Sequence, residues 1–299
     1  MSTILIAGGT GLIGKKLSEM LSHQGHSVHH LSRSADPNAT YKTFKWSPKN
    51  KEIDKAALKS ADYVINLAGA GIADKRWTDK RKKIIIDSRV DGNELFAETL
   101  PDFPNVKAYI SASAIGYYGD RGTTVLTEEA APGKEGFLAE SVTQWERGIE
   151  LVAATGIRTV IVRIGIVLST DGGALEKLLL PFKAWMGVYF GDGQQIYSWI
   201  HLEDLARIFI QAVKDKDMEG AYNGVAPNPV TNKKFTKITA KALDKSALII
   251  PAPTFGLRLA MGEMADVVLT GSNVSSKKIE KTGFEFKFPE LESGLEDLL

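Results

Sequence analysis

The stretch Thr3–Gly14, TILIAGGTGLIG, indicates the fold more directly than any other part of the chain. A short β-branched apolar run leads straight into glycines at positions 8, 11 and 14. In a strand–turn–helix unit, glycines at this spacing turn the chain, let main-chain N–H groups approach a pyrophosphate, and allow the helix to pack closely on the strand. A glycine-rich turn without a ligand is the alternative. The segment predicts a dinucleotide-binding turn with contacts from Gly8, Thr10, Gly11, Leu12, Ile13 and Gly14.

Composition places the chain among ordinary globular proteins and excludes several classes of function. It has 299 residues, a formal net charge of +1 and 43% hydrophobic residues, so nothing marks a nucleic-acid-binding protein. The absence of cysteine excludes disulfides, thiolate catalysis and cysteine metal sites, and we assign no metal. The longest apolar stretch, Val160–Leu168, is interrupted by Arg163 and is too short to cross a bilayer. With no leader pattern before the first strand, we expect a cytoplasmic protein that does not bind membranes.

Strand and helix patterns alternate through the first half of the chain, which favours a parallel sheet covered on both faces. Apolar runs predict strands at Ile4–Ala7, Ser27–Leu31, Thr43–Trp46, Tyr63–Leu67, Ala108–Ser111 and Arg158–Arg163. Helical patterns lie near Leu12–Ser22, Ile53–Lys59, Asp79–Leu100 and Phe137–Thr155. Gly25 and Gly156 follow two of these helices and suit left-handed C-terminal caps. We predict an α/β fold with a doubly wound parallel sheet of the Rossmann type, whose ligand crevice lies at the carboxyl ends of the strands.

After Arg163 the pattern changes and helices dominate. The sequence predicts a strand and turn over Val188–Gly193 and helices at Ala174–Met186, Glu203–Lys214, Lys233–Leu243 and Thr254–Val268. We predict that residues 1–165 form the cofactor-binding domain. Residues 166–299 are then a smaller α/β lobe on the substrate side of the crevice, with residues 250–299 as its last segment, and not an independent domain.

The end of the second predicted strand bears on which dinucleotide is bound. In NAD sites an acidic residue usually lies about 20 residues after the glycines and binds the ribose 2′-hydroxyl. Here the strand ends in His29–Ser34, HHLSRS, and the first carboxylate is Asp36. Ser32 and Arg33 suit a 2′-phosphate instead, because Arg forms bidentate charge-assisted bonds, although Arg33 as an ordinary exposed cation is the alternative. We therefore favour NADP(H) over NAD(H). Main-chain contacts to the ribose are expected from Leu67, Ala68 and Gly69, with a plain strand-to-loop turn as the alternative.

Several motifs together resemble a known family. The glycine turn, the strand end Asn66–Gly69 and Ser111–Ser113 resemble the extended short-chain dehydrogenase/reductases, the nucleoside-sugar epimerase and dehydratase superfamily. Further segments resemble its atypical, YfcH-type epimerase-like branch: Arg76–Thr78, Ser88–Val90, Ser113–Gly119, Trp145–Glu146 and Trp199–His201. The stretch from Pro251 through Gly262 and Gly283 to Leu291 is similar to that branch's C-terminal domain of unknown function.

The resemblance implies a Ser, a Tyr and a Lys four residues after the Tyr as the reactive set. Ser113 matches the Ser, which implies a hydrogen bond to the substrate oxygen. The Tyr–Lys pair is missing, because the two registers of the matching segment give Phe137 with Ser141 or Leu138 with Val142. Arg89 falls where the family carries an Asn. It is either a fixed cation near the cofactor that partly replaces the Lys, or an ordinary solvated helix residue. Predicted cofactor contacts are completed by Ser111 and Arg163.

Other candidate residues keep two interpretations each. Tyr117 follows Ser113 on the loop after a central strand, where it would act on the substrate or only line the nicotinamide pocket. The basic cluster 75–83 is typical of a solvated helix face, although Trp77 within it suggests ring stacking. For Asp204 we favour a structural role in helix entry, and the role of His201 stays open.

Two functions of different class follow. The first is an NADP(H)-dependent oxidoreductase or epimerase-like enzyme that acts on a small molecule, either a nucleotide sugar or a small carbonyl compound, with Ser113 and Tyr117 as its catalytic residues. The second is a non-catalytic NADP(H)-binding sensor or interaction scaffold, which the missing Tyr–Lys pair suggests. The sequence leaves a monomer and a homodimer equally open.

Overall fold

The computed structural model describes residues 1–34, 36 and 38–299. The strands are β1 Thr3–Ala7, β2 Ser27–Ser32, β3 Lys42–Ser47, β4 Glu52–Ile53, β5 Tyr63–Asn66, β6 Ala108–Ala114, β7 Val125–Leu126, β8 Thr159–Ile164, β9 Ile166–Leu168, β10 Met186–Phe190, β11 Ile196–Tyr197, β12 Trp199–His201, β13 Gly220–Gly224, β14 Val230–Thr231, β15 Leu248–Ala252 and β16 Asn273–Val274.

The α-helices are α1 Leu12–His23, α2 Lys55–Ser60, α3 Asp79–Thr99, α4 Phe137–Ala153, α5 Ala174–Leu179, α6 Leu202–Lys214, α7 Asn232–Ala242, α8 Thr254–Met261, α9 Asp266–Leu269, α10 Lys277–Glu280 and α11 Leu291–Leu298. Short 3-10 helices cover Pro48–Asn50, Leu100–Asp102, Ile115–Tyr118, Leu180–Ala184 and Gly262–Ala265. In the part of the chain that the structure describes, no helix combines the length and apolar character needed to span a membrane.

The central sheet has the strand order β13-β8-β6-β5-β1-β2-β3-β4 and is parallel except for the β3–β4 pair. From β1 the chain moves to β2 and β3 on one side, then returns to β5 and β6 on the other. This reversal opens a crevice at the carboxyl ends of β1 and β5, because the connections on the two sides leave in opposite directions. The doubly wound fold predicted from the sequence is confirmed.

Helices cover the sheet on both faces. Helix α1 connects β1 to β2 on one side of the reversal, and α3 and α4 connect β5 to β6 and β6 to β8 on the other. Because such crossovers are right-handed, α1 lies on one face of the sheet, and α3 and α4 lie on the opposite face. Helix α3 packs on α4, and α1 packs on α6. The strand residues between them are fully buried, among them Ile4, Leu5 and Ile110. The sheet thus forms the rigid floor from which the loops of the crevice project.

The second half of the chain is continuous with this sheet. Helix α6 packs beside α1, and β13 pairs with β8 at the edge of the sheet. Several of the remaining elements form a second apolar cluster around Trp199, Phe235 and Leu295. The division into a cofactor-binding domain and a smaller lobe, with its boundary between residues 165 and 166, stays a prediction.

Two helices predicted from the sequence are wrong in their extent. The helix predicted over Ala174–Met186 ends at Leu179, where a 3-10 turn containing Pro181 follows, because proline lacks the N–H that continues an α-helix. Trp185 then takes a left-handed φ of 58°, and β10 begins at Met186. The helix predicted over Thr254–Val268 is broken at Gly262, whose φ is 63°. The predicted caps at Gly25 and Gly156 have positive φ, as expected.

Candidate functional site

Three of the four glycines in the β1–turn–α1 unit, Gly8, Gly11 and Gly14, have different surroundings. A Cβ on Gly8 would lie 2.9 Å from the main chain of Leu67, and one on Gly14 would lie 2.4 Å from the carbonyl oxygen of Gly8. These two glycines are therefore required by close packing within the protein. A Cβ on Gly11 would contact only the Gly8 oxygen, at a van der Waals distance of 3.4 Å. Gly11 therefore faces open space. Among these three positions, Gly11 is the one that leaves room for a group.

The first turn of α1 opens onto the same space. Gly11 is the N-cap of α1 and has no side chain to cap the helix. Within the described residues 1–34, the first turn of α1 carries no acidic residue. The main-chain N–H groups of a first helical turn have no partner inside the helix, and they carry the positive end of its dipole. Thr10 and Gly11 are exposed, and Leu12 and Ile13 are half-buried. A cradle of this kind, open and free of carboxylates, fits a diphosphate.

A histidine supports the turn from below. The His30 ring lies against Gly9, where a Cβ would approach to 2.4 Å, and its Nε2 is 2.8 Å from the Ser18 hydroxyl. Burial lowers the pKa of His30. Two residues beyond, β2 ends with the half-buried Ser32, followed by the exposed Arg33. The two predicted 2′-phosphate residues thus lie at the end of the strand next to the turn and directly after it.

Leu67, Ala68 and Gly69 connect the turn to a half-buried arginine. A Cβ on Gly69 would lie 3.0 Å from the Arg89 Cζ. Arg89 donates from Nη1 to the carbonyl oxygen of Ile85 at 2.9 Å, and its Cζ lies 4.8 Å from the Trp145 ring centroid. Burial lowers the pKa of Arg89 to about 10, so the guanidinium is still charged at neutral pH. The structure brings the glycine turn, this loop and Arg89 into one continuous row.

Beyond Arg89 lies a cleft of about 800 Å³ between the sheet and the second half of the chain. Its lining includes residues 114–116, 133–139, 164–166, 196–198 and 270–272. The four residues in the two registers of the missing Tyr–Lys pair, Phe137, Leu138, Ser141 and Val142, all line it. Ser141 donates its hydroxyl to the Leu138 carbonyl at 3.0 Å. The start of α4 therefore presents apolar side chains and one already bonded hydroxyl to the cleft.

A buried ionic network lies behind the cleft. Ser113 Oγ donates to Glu146 Oε1 at 2.6 Å, and Arg163 donates to both oxygens of Glu146, from Nε at 2.8 Å and from Nη2 at 2.7 Å. The side chains of Glu146 and Arg163 are each 5% exposed. The bidentate contact with Glu146 helps to raise the pKa of Arg163 above its ordinary value, against desolvation. The network ties β6, α4 and β8 together.

Two tyrosines complete the network. Arg163 Nη1 donates to the Tyr118 hydroxyl at 2.9 Å, which donates to Asn223 Oδ1 at 2.7 Å. Burial raises the pKa of Tyr118 to about 12. The Arg163 Cζ lies 3.6 Å from the centroid of the half-buried Tyr117 ring. One guanidinium thus fixes both aromatic rings after β6.

The predicted site residues fall into two groups. Those of the glycine turn, the Leu67–Gly69 loop and Arg89 come together as the sequence suggests. Ser111, Ser113 and Arg163 are buried, and Ser111 donates to the main chain at 3.0 Å. Their roles toward cofactor or substrate, like that of Tyr117, stay predictions.

Glu146 is the residue that sequence reasoning missed as a site member. It lies four residues after Val142 and three before Ile149, on the apolar stripe of α4. A carboxylate on such a stripe signals a buried partner, because an unpaired buried charge is costly. Its partner Arg163 interrupts the apolar run of β8 in the same way.

The other candidate residues, Trp77, Asp204 and His201, make packing contacts and hydrogen bonds within the fold. Trp77 is buried against Phe137, with ring centroids 4.8 Å apart, and donates to the Ile72 carbonyl. Asp204, fully buried, accepts from the main-chain N–H groups of Lys287 and Phe288, both at 2.9 Å. The structural role favoured for Asp204 is thereby supported. His201 caps α6 by accepting from the N–H of Glu203.

Comparisons with known proteins agree along the whole chain. Residues 4–223 match the NAD dependent epimerase/dehydratase family, and residues 252–298 match a domain of unknown function. The chain is 34% identical over 300 residues to the mouse (Mus musculus) epimerase family protein SDR39U1, covering 99% of both. It is 36% identical to the Bacillus subtilis epimerase family protein YfhF, covering 99% of this chain and 97% of the relative.

Two solved structures are similar. The crystal structure of human epimerase family protein SDR39U1 (isoform 2) with NADPH superposes with a TM-score of 0.89 at 32% identity, covering 99% of this chain and 98% of that chain. The nucleoside-diphosphate sugar epimerase from Corynebacterium glutamicum gives a TM-score of 0.82 at 32% identity, covering 100% of this chain and 58% of that one.

Proposed function

Since the chain belongs to the NAD dependent epimerase/dehydratase family, we propose that it binds NADP(H) and uses it in a redox reaction on a small molecule. The observation that carries this proposal is the open side of Gly11 in a turn that packs on Leu67, with Gly69 of the same loop packed against Arg89, which lines the cleft. The crystal structure of the human relative with NADPH supports the choice of cofactor.

In this proposal the residues of the glycine turn hold the diphosphate with main-chain N–H groups. Ser32 and Arg33 bind the 2′-phosphate of the adenosine, and the Leu67–Gly69 main chain lies along the ribose. Arg89 holds the part of the cofactor nearest the cleft, since it is charged and half-buried. Ser111 and Arg163, buried on the neighbouring strands β6 and β8, support the same region from beneath. The bound cofactor supplies or accepts a hydride.

Proton handling is assigned to the loop after β6. Tyr117 is proposed to give its phenolic proton to the substrate oxygen, with its ring held by the Arg163 guanidinium. Ser113 is proposed to orient the same oxygen. Its hydroxyl donates to Glu146, so a contact with substrate requires the hydroxyl to rotate away from that carboxylate.

A second candidate is a non-catalytic NADP(H)-binding protein. The apolar residues Phe137, Leu138 and Val142 favour it, because none can move a proton where relatives of the superfamily are expected to carry Tyr and Lys. Turnover distinguishes the two. We expect NADPH oxidation with a member of a carbonyl and nucleotide-sugar panel, and a fall in kcat of about 10²–10⁴-fold in Ser113→Ala and Tyr117→Phe with NADPH affinity unchanged. An inactive wild type across the panel would favour the non-catalytic protein.

Cofactor binding is tested by isothermal titration. We expect tighter binding of NADPH than of NADH, and Arg33→Ala to remove most of that difference, about tenfold to a hundredfold for a lost charge-assisted bidentate contact. Gly11→Val should abolish binding of both cofactors in a folded protein. The exposed Arg147→Ala on α4 is the matched control and should bind as the wild type does. Equal affinities of the wild type for NADPH and NADH would refute the assignment of Ser32 and Arg33.

A further inference from the structure

The wall of the cleft that comes from the second half of the chain has no basic residue. It consists of residues 164–166, 196–198, 266–267 and 270–272, all described by the structure, and Asp266 is its one charged side chain. Asp266 is paired with Arg258 at 3.0 Å. Proteins hold diphosphates with Arg or Lys side chains or with helix N-termini. This wall therefore offers no cation to the diphosphate of a nucleotide sugar.

The opposite wall carries three cations and two carboxylates: Arg89, Asp120, Arg121, Lys134 and Glu135. Arg121 and Lys134 are exposed, and each is next in sequence to an exposed carboxylate, Asp120 and Glu135. Arg121 is exposed and donates to two main-chain carbonyls, at 3.1 and 3.2 Å. Arg89 is the residue proposed to hold the cofactor. The N-terminus of α4 also opens here, but Glu140 in its first turn offsets the positive end of the helix dipole.

The hydroxyl groups of the cleft already have partners for their protons. Each donates its proton to a main-chain carbonyl, at 3.0 Å from Ser141 and Tyr197, 2.6 Å from Ser198 and Thr270, and 2.8 Å from Ser272. Among the described lining residues there is no Asn, Gln or His. A sugar ring moved from water into this cleft would give up hydrogen bonds that few free donors replace, and each unsatisfied group costs about 1–3 kcal/mol.

What the cleft does offer is apolar surface, from side chains such as Phe137, Val142, Trp145, Ile166 and Ile196. We propose that the substrate is an apolar aldehyde or ketone, or the corresponding alcohol in the reverse direction, and not a nucleotide sugar. The inference rests on the proposed function, because NADPH provides the two electrons. The carbonyl carbon gains a hydride from the reduced nicotinamide, its oxygen gains a proton, and the products are the alcohol and NADP⁺.

The test uses the full chain loaded with NADP⁺, and three probes: cyclohexanone, benzaldehyde and UDP-glucose. Binding is followed by saturation-transfer NMR, which needs no turnover, and NADPH oxidation is followed by absorbance. We expect the two carbonyl compounds to bind and UDP-glucose not to bind. Gly116→Leu adds bulk to the cleft wall and should weaken carbonyl binding about tenfold or more. Gly116→Ala is its matched control, since its Cβ makes an ordinary contact of 3.5 Å with Val142. Ile166→Phe is a second cleft-filling variant.

Each outcome decides the matter. Carbonyl binding that both cleft-filling variants weaken, in proteins that still bind NADPH, supports the substrate class. UDP-glucose binding that these variants abolish overturns it, as does carbonyl binding that they leave unchanged. If NADPH binds and no carbonyl compound does, the substrate class fails while the proposed cofactor stands. If NADPH itself does not bind, the proposed function and this inference fail together.

Discussion

Replacing Glu146 by Gln removes a charge while keeping the shape of the side chain. The carboxylate receives three hydrogen bonds, one from Ser113 and two from Arg163, at 2.6 to 2.8 Å. In Glu146→Gln the amide nitrogen would face an Arg163 N–H, so two donors oppose each other. The guanidinium would also remain buried at 4% exposure without its counter-charge.

The expected loss of stability is large. Breaking a buried ion pair by removing one partner costs about 3–5 kcal/mol, because the other charge stays desolvated. At a denaturant slope of about 3 kcal/mol/M, a loss of 3 kcal/mol lowers the urea midpoint by about 1 M. The double variant Glu146→Met/Arg163→Met should recover much of this loss, since replacing a whole buried pair by apolar groups is often neutral.

Urea denaturation followed by circular dichroism measures the effect. Glu150→Gln, on the exposed side of the same helix, is the matched control and should stay within about 0.5 kcal/mol of the wild type. A Glu146→Gln midpoint equal to that of the wild type would refute the reasoning, and so would a double variant less stable than the single one.

Three further predictions concern other parts of the molecule. Gly14→Ala should destabilise the fold by about 1–3 kcal/mol in urea denaturation, because its Cβ would lie 2.4 Å from a main-chain oxygen of the glycine turn, whereas Gly11→Ala should fold normally. Burial lowers the pKa of His30 in the folded protein. As the pH falls through about 6.5, His30 therefore takes up a proton in the unfolded chain before it does so in the folded one, and the free energy of unfolding decreases until the pH reaches the folded-state pKa. His30→Gln should make the loss of unfolding free energy between pH 7 and 5.5 smaller than in the wild type, and an unchanged loss would contradict this. Asp204→Asn should lower the melting temperature and speed amide exchange after residue 286, since two main-chain N–H groups depend on that carboxylate; protection equal to wild type would contradict it.

The fold was predictable because its signals are local. The β1–turn–α1 unit lies within twenty-one residues of sequence, and strand periodicity identifies the sheet without reference to distant residues. The break at Pro181 was missed because the apolar helical pattern continues on both sides of that residue.

The buried network was out of reach for a different reason. Ser113, Glu146 and Arg163 are far apart in sequence, and only the order of β6, α4 and β8 brings them together. A sequence can show that Glu146 and Arg163 lie at apolar positions. Nothing in their spacing shows that each is the partner of the other, or that the Ser113 hydroxyl donates to the carboxylate.

The C-terminal segment that matches a family of its own does not behave as a detachable module. Asn223, fully buried at the sheet edge, donates to the carbonyl of Ser275, and Ser198 donates to that of Ser272. Residues 270–272 are at the same time part of the cleft wall. A chain cut at residue 251 would lose residues 266–267 and 270–272 of its cleft wall and expose the Asn223 and Ser198 groups that bond to the removed segment. We therefore expect a truncated chain to lack a complete cleft, so that the two matched regions have to be expressed and engineered together.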